Sequence, residues 1–317
     1  MEIIGKWIVA AAAVIIACLV VGGLAAQAPS PGGAAEPKAQ PRPGGAEGVR
    51  LWQYVRGDTT EFYCYGLKIV PPWADGGHLF INFPEHLEYM PGTRGILRYS
   101  DKGATGRWVV SDDGMTAALD ADSVTAAGVR VEGRAKVVSK NRIEVTMKII
   151  NGSDRITLGA VRPLYCHQYR TLAGFPQWVG NFEHTFILRD GKLTPLSEVK
   201  TAKDSDVKAG STKGCPEKEE NPFVTSRGGL IEDGVDASIA VVTSLDGKRA
   251  LVIGWTPGKN AFSNRSIPCL HADPYYGDIK PGESKEAKEV IILTEDDPAK
   301  VVEGLLAEGI GRPVKAP

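Results

Sequence analysis

The sequence lacks almost every signature that names a reaction. It has no Gly-x-Gly-x-x-Gly, no phosphate-cradling glycine loop, no His-Glu-x-x-His and no Gly-x-Ser-x-Gly. Local evidence for nucleotide binding, zinc-peptidase chemistry and a serine elbow is therefore missing. Ser197-Glu198-Val199-Lys200 fits Ser-x-x-Lys, but the companion motifs are absent and so short a pattern arises by chance. No Cys-x-x-Cys occurs among the five widely spaced cysteines, so neither zinc nor a dithiol redox centre is expected. The reading at this level is no metal and no cofactor. The net charge is −1 over 317 residues, with the two signs interspersed. That balance excludes nucleic acid and anionic membrane surfaces as partners of the bulk of the chain, since both select a basic excess.

What the sequence does have, first, is an export segment. From Trp7 to Ala26 it is apolar and uncharged, with Lys6 just before, about the length that spans a bilayer. Three readings fit. Small residues at its end, Leu24-Ala25-Ala26 and Ala26-Gln27-Ala28, suit a cleaved signal peptide. Ile15-Ile16-Ala17-Cys18 resembles a lipobox, although Leu19-Val20-Val21 continues the apolar run. The third reading is a retained anchor. All three place the rest of the chain outside the cytoplasm, touching a membrane only through this N-terminal segment. Residues 27–49 follow, rich in Pro, Gly and Ala, a composition that buries too little apolar surface to fold and acts as a tether. The folded domain is expected over residues 50–317.

Within that domain period-two alternation dominates. Val129, Val131, Ala135 and Val137 alternate with Arg130, Glu132, Arg134 and Lys136. After Ser139-Lys140-Asn141 the pattern resumes at Ile143, Val145, Met147 and Ile149. Such patterning predicts a half-buried antiparallel pair. Asn151-Gly152 turns the chain toward Ile156-Thr157-Leu158. His184 to Arg189 reads as a strand, Ile239–Thr243 and Ala250–Trp255 form a hairpin around Asp246-Gly247, and Glu289–Leu293 is a last strand. One helix stands out near the end. Asp296 or Asp297 caps it, Pro298 opens it, Val301, Val302, Leu305 and Leu306 stripe it, and Gly309 stops it. Many strands and almost no helix predict a mostly β fold: a large antiparallel β-sandwich with a short C-terminal helix. Two stretches read as irregular: Trp73 to Glu88, with Asp75, His78, Glu85 and His86, and a polar loop from Thr201 to Asn221 with Cys215 at its middle. Cys64, Cys166, Cys215 and Cys269 allow two disulfides in an oxidising compartment, with Cys215 placed to pin the loop; buried thiols are the alternative.

Chemistry-bearing residues collect at strand ends. Leu164-Tyr165-Cys166-His167-Gln168-Tyr169 closes one strand, and Asn181-Phe182-Glu183-His184 opens another downstream of Trp178. Ile267-Pro268-Cys269-Leu270-His271-Ala272-Asp273-Pro274-Tyr275-Tyr276 follows the hairpin. Histidines, carboxylates and aromatic rings in proximity suit a sugar: rings stack on a pyranose face and carboxylates accept from its hydroxyls. Cys269-Leu270-His271-Ala272-Asp273-Pro274 through Pro281-Gly282-Glu283 resembles the closing segment of galactose mutarotase-like domains. Val145 through Ser153 resembles their central strand, with its Asn-x-Ser turn. Together these segments cover about a third of the domain. The resemblance implies a β-supersandwich, shared by aldose epimerases and by domains of polysaccharide lyases and glycoside hydrolases. Epimerases of that family use a histidine acid and a glutamate base. The histidines and glutamates here do not align onto those two positions, so the resemblance carries the fold, and catalytic residues stay unassigned. The candidate substrate-binding residues are His271, Asp273, His184, His167 and Trp178. Two readings of function remain open: an extracytoplasmic carbohydrate-associated protein, or a tethered envelope protein serving assembly.

Overall fold

The computed structural model describes residues 48–54, 65–90, 94–98, 106–177, 182–217, 224 and 227–314. These form two antiparallel nine-stranded sheets. The first runs in the order β1 (Arg50–Gln53), β2 (Gly66–Val70), β3 (Leu79–Met90), β9 (Leu158–Gln168), β16 (Cys269–Pro274), β15 (Gly258–Asn264) and β12 (Val207–Ser211). To it are added β4 (Arg94–Arg98) against β3 and β17 (Gly277–Ile279) against β9. The second runs β11 (Lys192–Pro195), β10 (Thr185–Arg189), β13 (Ile239–Thr243), β14 (Ala250–Thr256), β18 (Ser284–Thr294), β8 (Arg142–Asn151), β7 (Val129–Ser139), β6 (Thr116–Asp122) and β5 (Val109–Val110). The predicted mostly β sandwich is what forms.

The alternation in β7 and β8 translates directly into packing. Val131 sits across from Ile149, Ala135 from Val145 and Val137 from Ile143, and all six are buried in the core between the sheets. Gly133 shares that inward face because a Cβ there would lie 2.6 Å from the Trp108 ring. Trp108 in turn donates its indole N–H to the Phe83 carbonyl at 3.1 Å. The two turns quoted above meet each other. Asn151 donates its side-chain amide to Ile156 O and Ile279 O and accepts from Ser153. Its backbone exchanges hydrogen bonds with the Pro281-Gly282-Glu283 turn: Asn151 N with Glu283 O, Gly282 N with Asn151 O. The helix, α1 (Pro298–Ala307), packs Val302 and Leu305 on the outer face of the second sheet, against Ile239, Val241, Val252 and Ile292. Asp297 caps it, accepting from Ala299 N at 2.9 Å.

Three expectations change. Trp73 to Glu88 is not a loop throughout: β3 runs to Met90, and Pro84 is accommodated at an irregularity between Asn82 and His86, where no ladder N–H is needed. Nor is Thr201 to Asn221 one polar loop, because Val207–Ser211 forms β12, paired with β15 and packing Val207 and Ala209 against Phe262. Only two apolar residues and a lysine gave the signal, too little for a period to register. The bridge expected at Cys215 is not formed, since Cys166, Cys215 and Cys269 are all unbridged. Cys64, Trp178 and the export segment lie outside the described residues. No helix among the described residues is long and apolar enough to cross a membrane.

Candidate functional site

Strand β9 is central in the first sheet, between β3 and β16, and its alternate residues serve two environments. Tyr165 and His167 point into the core with Ile81, Phe83, Leu270 and Ala272. Cys166 and Gln168 therefore point outward. The register Phe80–Gln168–Cys269 and Asn82–Cys166, with His271 paired to Phe262, lines these residues in rows across the outer face. Trp52 and Lys68 continue the first row across β1 and β2.

On that outer face Cys166, Cys269 and His271 converge, each with one side-chain donor atom within 4.8 Å of the others. Cys269 Sγ is 3.2 Å from His271 Nε2 and accepts from the Asn264 amide at 3.2 Å. The thiol of Cys166 also turns toward it. Three donors on one sulfur favour thiolate. The Cys166 hydrogen bond, then the His271 charge, hold Cys269 well below the ordinary thiol range against the opposing effect of burial. Burial pulls the His271 imidazole down, but the facing Cys269 sulfur outweighs it and keeps the ring protonated. Cys166 is pushed the other way, by its bond to Cys269 and by burial. The His271 ring stacks on Phe262 with centroids 4.0 Å apart, which fixes its plane. Glu85, in the β3 irregularity, reaches the same group. The residue is half-buried, yet its carboxyl is desolvated enough to be raised in pKa, and it bonds the Cys166 side chain.

The inward face of β9 holds a different pair. His167 Nδ1 lies 3.1 Å from the Leu270 carbonyl; a carbonyl only accepts, so Nδ1 carries the proton and Nε2 presents its lone pair. Glu289 Oε1 is 2.7 Å from that Nε2, with both side chains fully buried. The contact is short without meeting hydrogen-bond geometry. Burial, with Asp273 adding to it, raises Glu289 well above the carboxylate range. Burial, then the His271 charge, lowers His167 to about 3. The pair is a neutral acid beside a neutral imidazole. Above it, Tyr165 and Tyr276 share a hydrogen bond at 3.2 Å, and Tyr276 donates to Met147 O on the other sheet.

Of the residues singled out in the sequence, His271 and Asp273 lie on one strand, β16, at 3% and 1% exposure. Asp273 accepts from the Tyr165 backbone N–H at 2.9 Å and so continues the β9–β16 pairing with a side chain. His167 is on the opposite face of the adjacent strand. His184 is apart from all of these, half-buried just ahead of β10 on the second sheet, with Nδ1 3.1 Å from Thr243 Oγ1. Sequence reasoning placed Glu85 only in an irregular stretch, and it missed Glu289 and the pairing of Cys166 with Cys269. Glu289 had a signal: Ala287, Ile291 and Leu293 are its inward companions in β18, and a carboxylate at an apolar position of a period-two pattern is an anomaly.

No protein-family model and no curated protein matches the chain. Among solved structures, the Slr1438 protein from Synechocystis sp. PCC 6803 aligns at TM-score 0.37 and 8% identity, over 77% of this chain and 99% of its own. A polysaccharide lyase aligns at TM-score 0.31 and 11% identity, over 81% of this chain and 35% of the lyase. Both likenesses are distant.

Proposed function

We propose that this is an exported, carbohydrate-associated protein that meets a glycan at the half-buried Trp52–His78 edge of its first sheet's outer face. The observation that carries the reading is the set of polar side chains behind that edge, interleaved with aromatic rings. Lys68, Asn82 and Gln168 occupy outward but buried positions on β2, β3 and β9, where a face closed only by apolar packing would carry aliphatic residues. Half-buried Trp52 and His78 edge this set, their rings 6.2 Å apart, and the Lys68 ammonium lies 4.5 Å from the Trp52 centroid. Amides, a cation, a carboxyl at Glu85 and an aromatic ring are the groups that recognise a pyranose. The rival reading, assembly through an apolar contact, draws less support. The exposed large hydrophobics among the described residues are Val109, Val124, Val138, Leu245 and Ile267, each on a different element or turn, rather than one contiguous patch.

Export rests on the apolar run before the tether, and fractionation of cells expressing the full chain tests it: the protein belongs in the extracytoplasmic fraction. A glycan array probed with that material tests the ligand. Trp52→Ala is expected to weaken a hit at least ~10-fold, the scale of one lost stacking contact at a binding site. An array without hits, or a hit indifferent to Trp52→Ala, removes this face as the glycan site.

A further inference from the structure

We infer that Cys166, Cys269 and His271 form a zinc site whose fourth position is open. The inference goes beyond the glycan reading and does not depend on it. The three side chains are 3%, 2% and 3% exposed, so they converge inside the protein rather than on a solvated surface. Cys269 and His271 are two apart on β16 and share its outward face, while Cys166 comes from the neighbouring strand. Every ligand backbone is therefore held in a paired strand, and the set needs no loop to order before it closes.

The chemistry matches the geometry. Zinc at about 2.3 Å from sulfur and about 2.0 Å from nitrogen places tetrahedral ligands roughly 3.5–3.8 Å from one another. Cys269 Sγ and His271 Nε2 are already 3.2 Å apart, and all three donor atoms fall within 4.8 Å. Two thiolates and one imidazole suit a borderline-soft divalent ion. Without such an ion a buried sulfur collects three donors, from Cys166, His271 and Asn264. Metal ligands must be deprotonated thiols and a neutral imidazole, so zinc uptake at this site would release protons. Asn264 would remain bonded to the Cys269 sulfur and Gln168 to that of Cys166, the outer contacts that orient metal ligands.

The test is metal content and cobalt spectroscopy on the full chain. Protein isolated from zinc-supplemented cells should carry one zinc per chain. Cobalt(II) exchanged into it should give the thiolate-to-metal charge-transfer absorption and strong visible bands of a tetrahedral sulfur site. Cys166→Ser and Cys269→Ser should each about halve the charge-transfer intensity, because two thiolates become one. Asn264→Ala should weaken zinc binding ~10-fold. The wild-type measurement decides even if a variant misfolds. Folded wild-type protein with both thiols reduced that takes up neither zinc nor cobalt overturns the inference. So does a Cys166–Cys269 disulfide in the isolated protein, or bound cobalt whose spectrum ignores both serine substitutions. Glycan binding without metal uptake sinks this site and leaves the glycan reading standing, and the converse also holds.

Discussion

Replacing Glu289 by Gln isolates the buried acid–imidazole pair. Glu289 has an ordinary pKa of 4.5 and is raised well above it when folded, while His167 falls from 6.5 to about 3. In the folded state Glu289 keeps a proton that the unfolded chain releases above pH 4.5, so its contribution falls as pH rises, by about 1.4 kcal/mol per pH unit. His167 is already neutral when folded, whereas the unfolded chain binds a proton below pH 6.5. Its contribution therefore rises from about pH 3 to pH 6.5 with the same slope. The two cancel between pH 4.5 and 6.5, and above that only the Glu289 loss remains. Gln reproduces the shape and the donor of the neutral acid without the titration. Glu289→Gln should thus gain on wild type by about 1.4 kcal/mol per pH unit above about pH 5 for as long as folded Glu289 stays protonated. Urea unfolding followed by tryptophan fluorescence at half-unit steps of pH measures the difference. Curves for the two proteins that stay parallel from pH 5 to pH 8 would falsify the protonated-acid assignment.

Two further substitutions probe the scaffold. Asn151→Ala leaves the carbonyls of Ile156 and Ile279 without their amide donor and undoes the Ser153 turn. A loss of about 2–4 kcal/mol in urea unfolding is expected, and a loss below about 0.5 kcal/mol would mean that the two turns hold each other without it. Asp297→Ala removes the cap of α1 and should cost about 1 kcal/mol, whereas Asp296→Ala, whose carboxylate contacts Thr294 Oγ1 instead, should cost less. Equal effects from the two would contradict the capping assignment.

What was legible in the sequence is what local period and turn chemistry encode. The β7–β8 pair, the Asp246-Gly247 hairpin with Asp246 accepting from Ser244 and Lys248, and the capped helix each carry their own signal within a dozen residues. Strand order carries none. That β16 inserts between β9 and β15 decides which cysteines meet, yet nothing within either segment states it. The absence of Cys-x-x-Cys argued against a metal because short spacing is how loops supply ligands, whereas adjacent strands supply them from remote positions. Pro84 had a similar effect: it reads as a strand breaker, and only the irregularity between Asn82 and His86 reconciles it with β3.

Placing Cys166 and Cys269 on neighbouring strands that are remote in the chain also makes them a built-in clock for folding. Neither thiol is shielded until β16 has closed against β9, a contact of high sequence separation that sheets of this kind acquire late. Nascent chains released before the last strands emerge would still offer Cys166 to thiol-reactive reagents, while finished molecules hide both sulfurs at once. The same property that withholds the pair from solvent in the mature fold turns the order of synthesis into a chemical record of completion.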